Sequence, residues 1–284
     1  MKIKRVSVSL FWLIVVMLFL PANIGAQDLP YYLYDRGTGM PMSIPGTYVK
    51  DSELLIYPFY EYYYDSNIEY EPLDFGVPSN KEYRGKYTAN EGLIFLGYGI
   101  TDRLAVEFEA GIISATLTKS GNDTSALEPK FTESGVSDVE GQVRWRWNHE
   151  SAGTPEFFNY FEFVFPTGEK NSLIGTSNWE FKLGAGVIKG FRFGTFTFRF
   201  AFDYNTGEKV VEPGEFALEY LKRLSDNFRI FMMIEGAQDE FSLVPEIQWF
   251  ITPSIMLNAN TGFGITSKAT DIATELGVMF SLFP

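Results

Sequence analysis

Cysteine is absent from this chain of 284 residues, and histidine occurs once, at position 149. The first absence excludes disulfides, thiolate metal centres and a lipidated N-terminal cysteine. The second leaves His149 as the one imidazole available for hydrolysis with a histidine base. Positive charge is also scarce, with 23 Lys and Arg against 36 Asp and Glu, a net charge of −13. Phosphate contacts demand clustered cations, so no nucleic-acid partner is expected. Beyond Leu20 no apolar run is long enough for a transmembrane helix.

What precedes Leu20 reads as an export signal. Lys2, Lys4 and Arg5 open it, Val6 to Leu20 is apolar apart from Ser7 and Ser9, and Pro21 to Ala26 offers a cleavage site. Residues 1–26 are therefore expected to be a signal peptide, with a retained single-span anchor as the alternative. Its removal leaves 20 basic and 36 acidic residues, a net charge of −16.

Aromatic residues are abundant: 27 Phe and 16 Tyr help bring the aromatic share to 17%. They are ordered in Gly194–Tyr204, where Phe196, Phe198, Phe200, Phe202 and Tyr204 alternate with Thr195, Thr197, Arg199, Ala201 and Asp203. Period-two alternation belongs to a strand, since a helix would scatter the rings around its circumference. A stretch of about eleven residues crosses a bilayer as a tilted strand. The pattern predicts lipid on the ring side and a charged lumen on the other.

The same code recurs. Residues 27–50 form an irregular lead-in rich in Gly, Pro and Tyr, expected either in the periplasm or inside a barrel. From residue 51 to 284 about twelve strands can be marked, an even number as in bacterial barrels. The second is ambiguous in register because Leu93-Ile94-Phe95-Leu96 is continuously apolar. Short connections at 101–103, 149–155, 190–194, 225–227 and 252–254 alternate with longer or more variable ones at 65–85, 118–134, 167–175, 206–213, 237–240 and 264–271, of which 237–240 is itself brief. The predicted fold class is all-β: a transmembrane antiparallel up-and-down β-barrel with periplasmic N- and C-termini. A soluble β-sandwich gives no reason for that alternation.

Strand direction sorts the inward charges along the axis. Arg144, Arg146, Arg223 and Arg229 fall toward the periplasmic end. Asp203, Glu180, Glu215, Glu235 and Glu275 fall toward the outer mouth. Glu107, Glu109, Glu162, Glu219, Glu246, Lys182 and Arg199 lie between, and Glu140 faces inward on the fourth strand. These are the candidate lumen-lining residues, acidic outside and basic inside. Charges on a narrow wall focus potential and select what enters; alternatively they pair across strands and fill the lumen. Twelve strands lie between barrels that are filled and barrels that carry water.

Other motifs resolve to architecture. The acidic loop Asp65–Asp74 lacks EF-hand spacing and reads as a solvated surface. Gly97-Tyr98-Gly99 lies in a strand and not between helices, so it is no potassium filter. Gly184-Ala185-Gly186 is followed by no helix and fails the dinucleotide fingerprint. His149 falls in a periplasmic turn, the wrong side for lipid hydrolysis from the outer leaflet. No enzyme activity, cofactor or metal site is expected.

Two stretches carry a family likeness: Gly135-Val136-Ser137-Asp138-Val139-Glu140-Gly141-Gln142-Val143-Arg144-Trp145, and Phe163-Val164-Phe165-Pro166-Thr167-Gly168. With a Gly-x-x-Asp head to one strand and a Pro-Thr-Gly end to another, the chain resembles the outer-membrane barrels grouped as transporters of the phenol meta-cleavage degradation pathway. The likeness covers residues 50–283 in layout and carries over no substrate residues. It implies the bacterial outer membrane and passage of small solutes, aromatic or hydrophobic compounds among them. The expected partners are outer-membrane lipids including lipopolysaccharide, the outer-membrane assembly machinery and a small-molecule solute. The alternative is a non-conducting scaffold or surface-interaction barrel with a filled lumen.

Overall fold

A computed structural model describes residues 29–79, 81–167, 173–176, 178–207 and 209–283. The expected signal peptide, residues 1–26, lies outside the described residues. Thirteen paired segments form one closed antiparallel sheet, and two of them share a single position in it, making a twelve-stranded barrel.

The strands are β1 (Leu54–Tyr70), β2 (Tyr83–Gly99), β3 (Leu104–Thr118), β4 (Lys130–Val136 with Val139–Asn148), β5 (Glu156–Phe165) and β6 (Glu180–Phe191). They continue as β7 (Gly194–Asn205), β8 (Val210–Arg223), β9 (Phe228–Ala237), β10 (Glu240–Thr252), β11 (Ile255–Gly264) and β12 (Ile272–Leu282). β12 pairs with β1 through Glu275 and Glu61, which closes the ring. Closure satisfies the backbone between strands, the condition for crossing lipid without a sheet edge.

The aromatic stripe of β7 lies on the outer face, with Phe198, Phe200 and Phe202 exposed while Thr197, Arg199 and Ala201 are buried inside. The outer face is apolar elsewhere too: Ile112 is 67% exposed, Leu183 60% and Leu276 55%. Such a surface is stable only against lipid, because facing water costs about 25 cal/mol for each Å². Rings collect near both rims, as in the Phe228–Trp249 stack at one end and the Phe165–Trp179 contact at the other.

Five connections at one end, 100–103, 149–155, 192–193, 224–227 and 253–254, are short. We call this the turn end and the opposite one the loop end. The loop end departs from expectation at 206–213. β7 and β8 run on to Asn205 and Val210, which leaves a shorter connection than expected. Strand pairing there outlasts the apolar alternation, because hydrogen bonding between strands does not require a lipid-facing side chain.

β4 contains a bulge at Ser137-Asp138. The Ser137 N–H donates to the Gly111 carbonyl at 2.9 Å, and the Gly111 N–H donates to Ser137 Oγ at 2.7 Å. The two stretches that carry the family likeness meet here, since the Val139 N–H donates to Thr167 Oγ1 at 3.0 Å.

Residues 29–53 run inside the barrel at the turn end and form a plug. A short antiparallel pair, Met40–Pro41 with Tyr48–Val49, anchors a loop at 42–47. Met40, Met42, Ile44 and Val49 pack with Leu55, Tyr57, Phe59 and Phe95 of the wall. Of the two placements open for this segment, the interior is the observed one. The wall accommodates it closely: the Lys50 carbonyl lies where a side chain on Gly99 would start, and the Tyr32 carbonyl does the same at Gly190. Those glycines exist for backbone approach.

Candidate transport lumen

The inner wall divides into a filled half and an open half. In the filled half, at the turn end, polar contacts bind the plug. Arg36 pairs with Glu156 at 2.8 Å and Glu150 at 3.1 Å, and its Nη1 donates to the Gly39 carbonyl at 3.1 Å. Arg146 pairs with Glu156 at 3.0 Å and also donates to the Gly39 carbonyl. Glu107 pairs with Arg144 at 2.5 Å and accepts from the backbone N–H of Ser43 at 3.0 Å and from its hydroxyl. Asp35 pairs with Lys222 at 3.2 Å and accepts from the Arg223 N–H at 2.9 Å.

Above the plug lies a chamber made of three adjoining cavities of ≈ 280, ≈ 490 and ≈ 400 Å³, each lined by Glu61 and Tyr63. Ser43, Ile44 and Pro45 form part of its floor. Residues 173–176 fold in over it: Ile174 packs against Ala89 and Ala115, and the Thr176 N–H donates to Asp138 at 2.5 Å. Beneath the plug is a separate cavity of ≈ 170 Å³ lined by Gly46, Thr47, Lys50, Glu53, Arg229 and Phe250. The loop at 42–47 borders both spaces, Ser43, Ile44 and Pro45 lining the upper and Gly46 and Thr47 the lower.

The candidate residues sort onto this frame. Glu109, Glu140, Glu162 and Glu235 line the chamber, as do Lys182, Asp203, Glu215 and Glu275; Glu180 sits near its roof. Glu246 is buried in the wall, accepting from Gln248 at 2.7 Å and from Asn260 at 3.3 Å. Arg199 is buried between Glu215 at 2.5 Å and Glu219 at 2.6 Å. Lys182 pairs with Glu162 at 2.9 Å.

Other candidates stand apart from the open space or only border it. Arg146 and Glu107 are buried against the plug, since a segment without strand periodicity supplies partners that strand patterning cannot foresee. Glu107 also borders the chamber, and Arg144 is buried in the wall beside Glu107, Phe158 and Tyr160. Arg223 turns to the rim, pairing with Asp226 at 2.6 Å and lying over Tyr34. The axial sorting changes as well. Glu275 is opposite Glu61 and accepts from the Tyr57 hydroxyl below, so it stands at mid-height and not at the mouth. The stronger separation is from side to side. Inward Lys and Arg belong to β4–β9, whereas β1–β3 and β10–β12 present carboxylates and amides, with no inward Lys or Arg among the described residues. A wall divided in this way sets a field across the chamber.

Residues that strand patterning does not single out also matter. Glu91 faces Glu61 in register on β2, but the unbroken run Leu93–Leu96 conceals which side it takes. Leu93 and Phe95 point inward because the plug covers them. Glu150 and Glu156 carry no signal in the sequence, because their partner Arg36 lies in the irregular lead-in. His149 is in the turn between β4 and β5, its Nε2 2.9 Å from Asp102 Oδ2.

No family model matches the chain, and no curated protein matches it. Among solved structures it is similar to an outer membrane channel from Pseudomonas putida F1, with TM-score 0.63 and 14% identity over 85% of this chain and 99% of that one. It is also similar to the translocator domain of the autotransporter NalP from Neisseria meningitidis, with TM-score 0.51 and 12% identity over 82% of this chain and 89% of that one. The chain carries the fold of the outer-membrane β-barrels, closed at twelve strands around an internal plug.

Proposed function

We propose that this protein is an outer-membrane channel or transporter barrel that passes small solutes. The observation that carries the reading is the chamber above the plug, walled by charges, with the loop at 42–47 bordering both it and the cavity below. A barrel serving only as a scaffold has no use for an open polar chamber of this kind. The likeness to the phenol meta-cleavage transporters adds small aromatic or hydrophobic compounds to the solutes, and the apolar inward residues Phe59, Phe95 and Met233 beside the chamber suit them. The protein would be exported by its leader, inserted by the assembly machinery and surrounded by outer-membrane lipid and lipopolysaccharide.

The competing reading is a non-conducting barrel, favoured by the buried ion pairs of Arg36 that hold the plug. Single-channel recording in a planar bilayer separates the two. Folded protein, identified by heat-modifiable gel migration, is expected to give discrete conductance steps. Folded protein that gives none overturns the channel reading.

A further inference from the structure

The chamber has more carboxylates than its cations can neutralise, and their arrangement is specific. Glu275, Glu61 and Glu91 occupy directly opposed positions on β12, β1 and β2, forming one row across three neighbouring strands. Glu109 and Glu140 are opposed in the same way on β3 and β4. Strands lie about 4.8 Å apart, and like charges directly opposite each other destabilise a sheet. No described Lys or Arg forms an ion pair with any of these five, because the chamber's cations are engaged elsewhere: Lys182 with Glu162, and Arg199 with Glu215 and Glu219. Tyr63 and Tyr57 donate to Glu61 and Glu275, which solvates the row without neutralising it.

A second observation comes from Gln142, whose side chain lines the same cavity and is 5% exposed. Its Nε2 donates to Glu162 at 2.6 Å, and its Oε1 is buried with no partner. An orphaned buried acceptor among carboxylates asks for a donor. The group that offers several donors, no acceptor and a positive charge is an ammonium. A bare metal ion fits less well, since among the described residues no three His, Cys, Asp or Glu side chains are grouped to hold one.

We propose that the chamber is a binding site for linear polyamines, with successive ammonium groups laid along the Glu275–Glu61–Glu91 row. This rests on the reading of the chamber as a solute path and names one class of solute for it. A polyamine spreads its charges along a flexible chain, as the row spreads its carboxylates across strands. An inorganic cation would neutralise one position and leave the others opposed.

The test is calorimetric titration of spermidine into the full-length, folded protein in detergent at low salt. Saturable binding near one equivalent is expected. Glu61→Gln with Glu91→Gln is expected to weaken it at least tenfold, and Glu69→Gln with Glu128→Gln, both on exposed loop-end residues, to leave it unchanged. On the unaltered protein, 1,3-diaminopropane is expected to bind and 1,3-propanediol, the same skeleton without charge, is not. Absence of saturable binding, equal loss in both variant pairs, or displacement of spermidine by equimolar Mg²⁺ each overturns the proposal. The titration is independent of conductance. Binding without channel steps overturns the transport reading and keeps the site, while steps without binding do the reverse.

Discussion

Arg199→Leu is expected to cost the barrel about 3–5 kcal/mol, the effect of breaking a buried ion pair by removing one partner. Arg199 is 5% exposed, and it alone pairs with Glu219 while sharing Glu215 with Lys182, which stands 3.7 Å away. Leucine fills much of the space but leaves Glu219 buried without a counter-charge. Urea unfolding from lipid vesicles, followed by tryptophan fluorescence, should show the midpoint fall. Adding Glu219→Gln and Glu215→Gln should recover at least half of the loss, because the unpaired charge destabilises the barrel more than the missing volume does. A loss under about 1 kcal/mol in the single variant would mean that water reaches these carboxylates, and the buried-pair account would fail.

Arg36→Ala is expected to release the plug. The Arg36 guanidinium is the one group of the segment paired with both Glu150 and Glu156, and it also supports the turn at Gly39 and lies over Tyr48. Glu150 keeps Lys189 at 3.2 Å and Glu156 keeps Arg146, so the wall survives the change better than the plug does. A weakening of about 3 kcal/mol raises the undocked population on the order of a hundredfold, at 1.4 kcal/mol for each factor of ten. The measurable results are protease cleavage within residues 30–50 and longer or larger conductance steps. Arg36→Lys should give an intermediate effect, keeping the charge but losing the fork that reaches two carboxylates at once. Cleavage and conductance identical to the unaltered protein would show that the apolar contacts of Met40, Met42 and Val49 hold the plug unaided.

Most of the barrel is legible in the sequence because a membrane strand must answer two solvents at once. Phe198, Phe200 and Phe202 face lipid while Thr197, Arg199 and Ala201 face inward, and that demand prints a period of two on the chain. The code fails where a third environment intrudes. The continuous apolar run leaves open which side Leu93 and Phe95 take, and they are interior because the plug makes the lower lumen apolar. The hairpin joining β7 and β8 reads as a longer loop, because pairing beyond the bilayer leaves no hydrophobic trace.

Inwardness of the charged residues is likewise local information, carried by strand phase. Which charge meets which is not. Arg199 reaches Glu215 and Glu219 on the adjacent strand, but Arg36 reaches Glu150 and Glu156 across more than a hundred residues of chain. The sheet, its strand count and its two faces can be read from residue order alone, because solvent acts on each side chain where it stands. Three features emerge only when the chain folds: residues 29–53 fill the turn end, the cations share one side of the wall, and Glu275, Glu61 and Glu91 form a row. Those outcomes depend on ring closure and strand stagger, which bring distant residues together and leave no periodic mark on the chain.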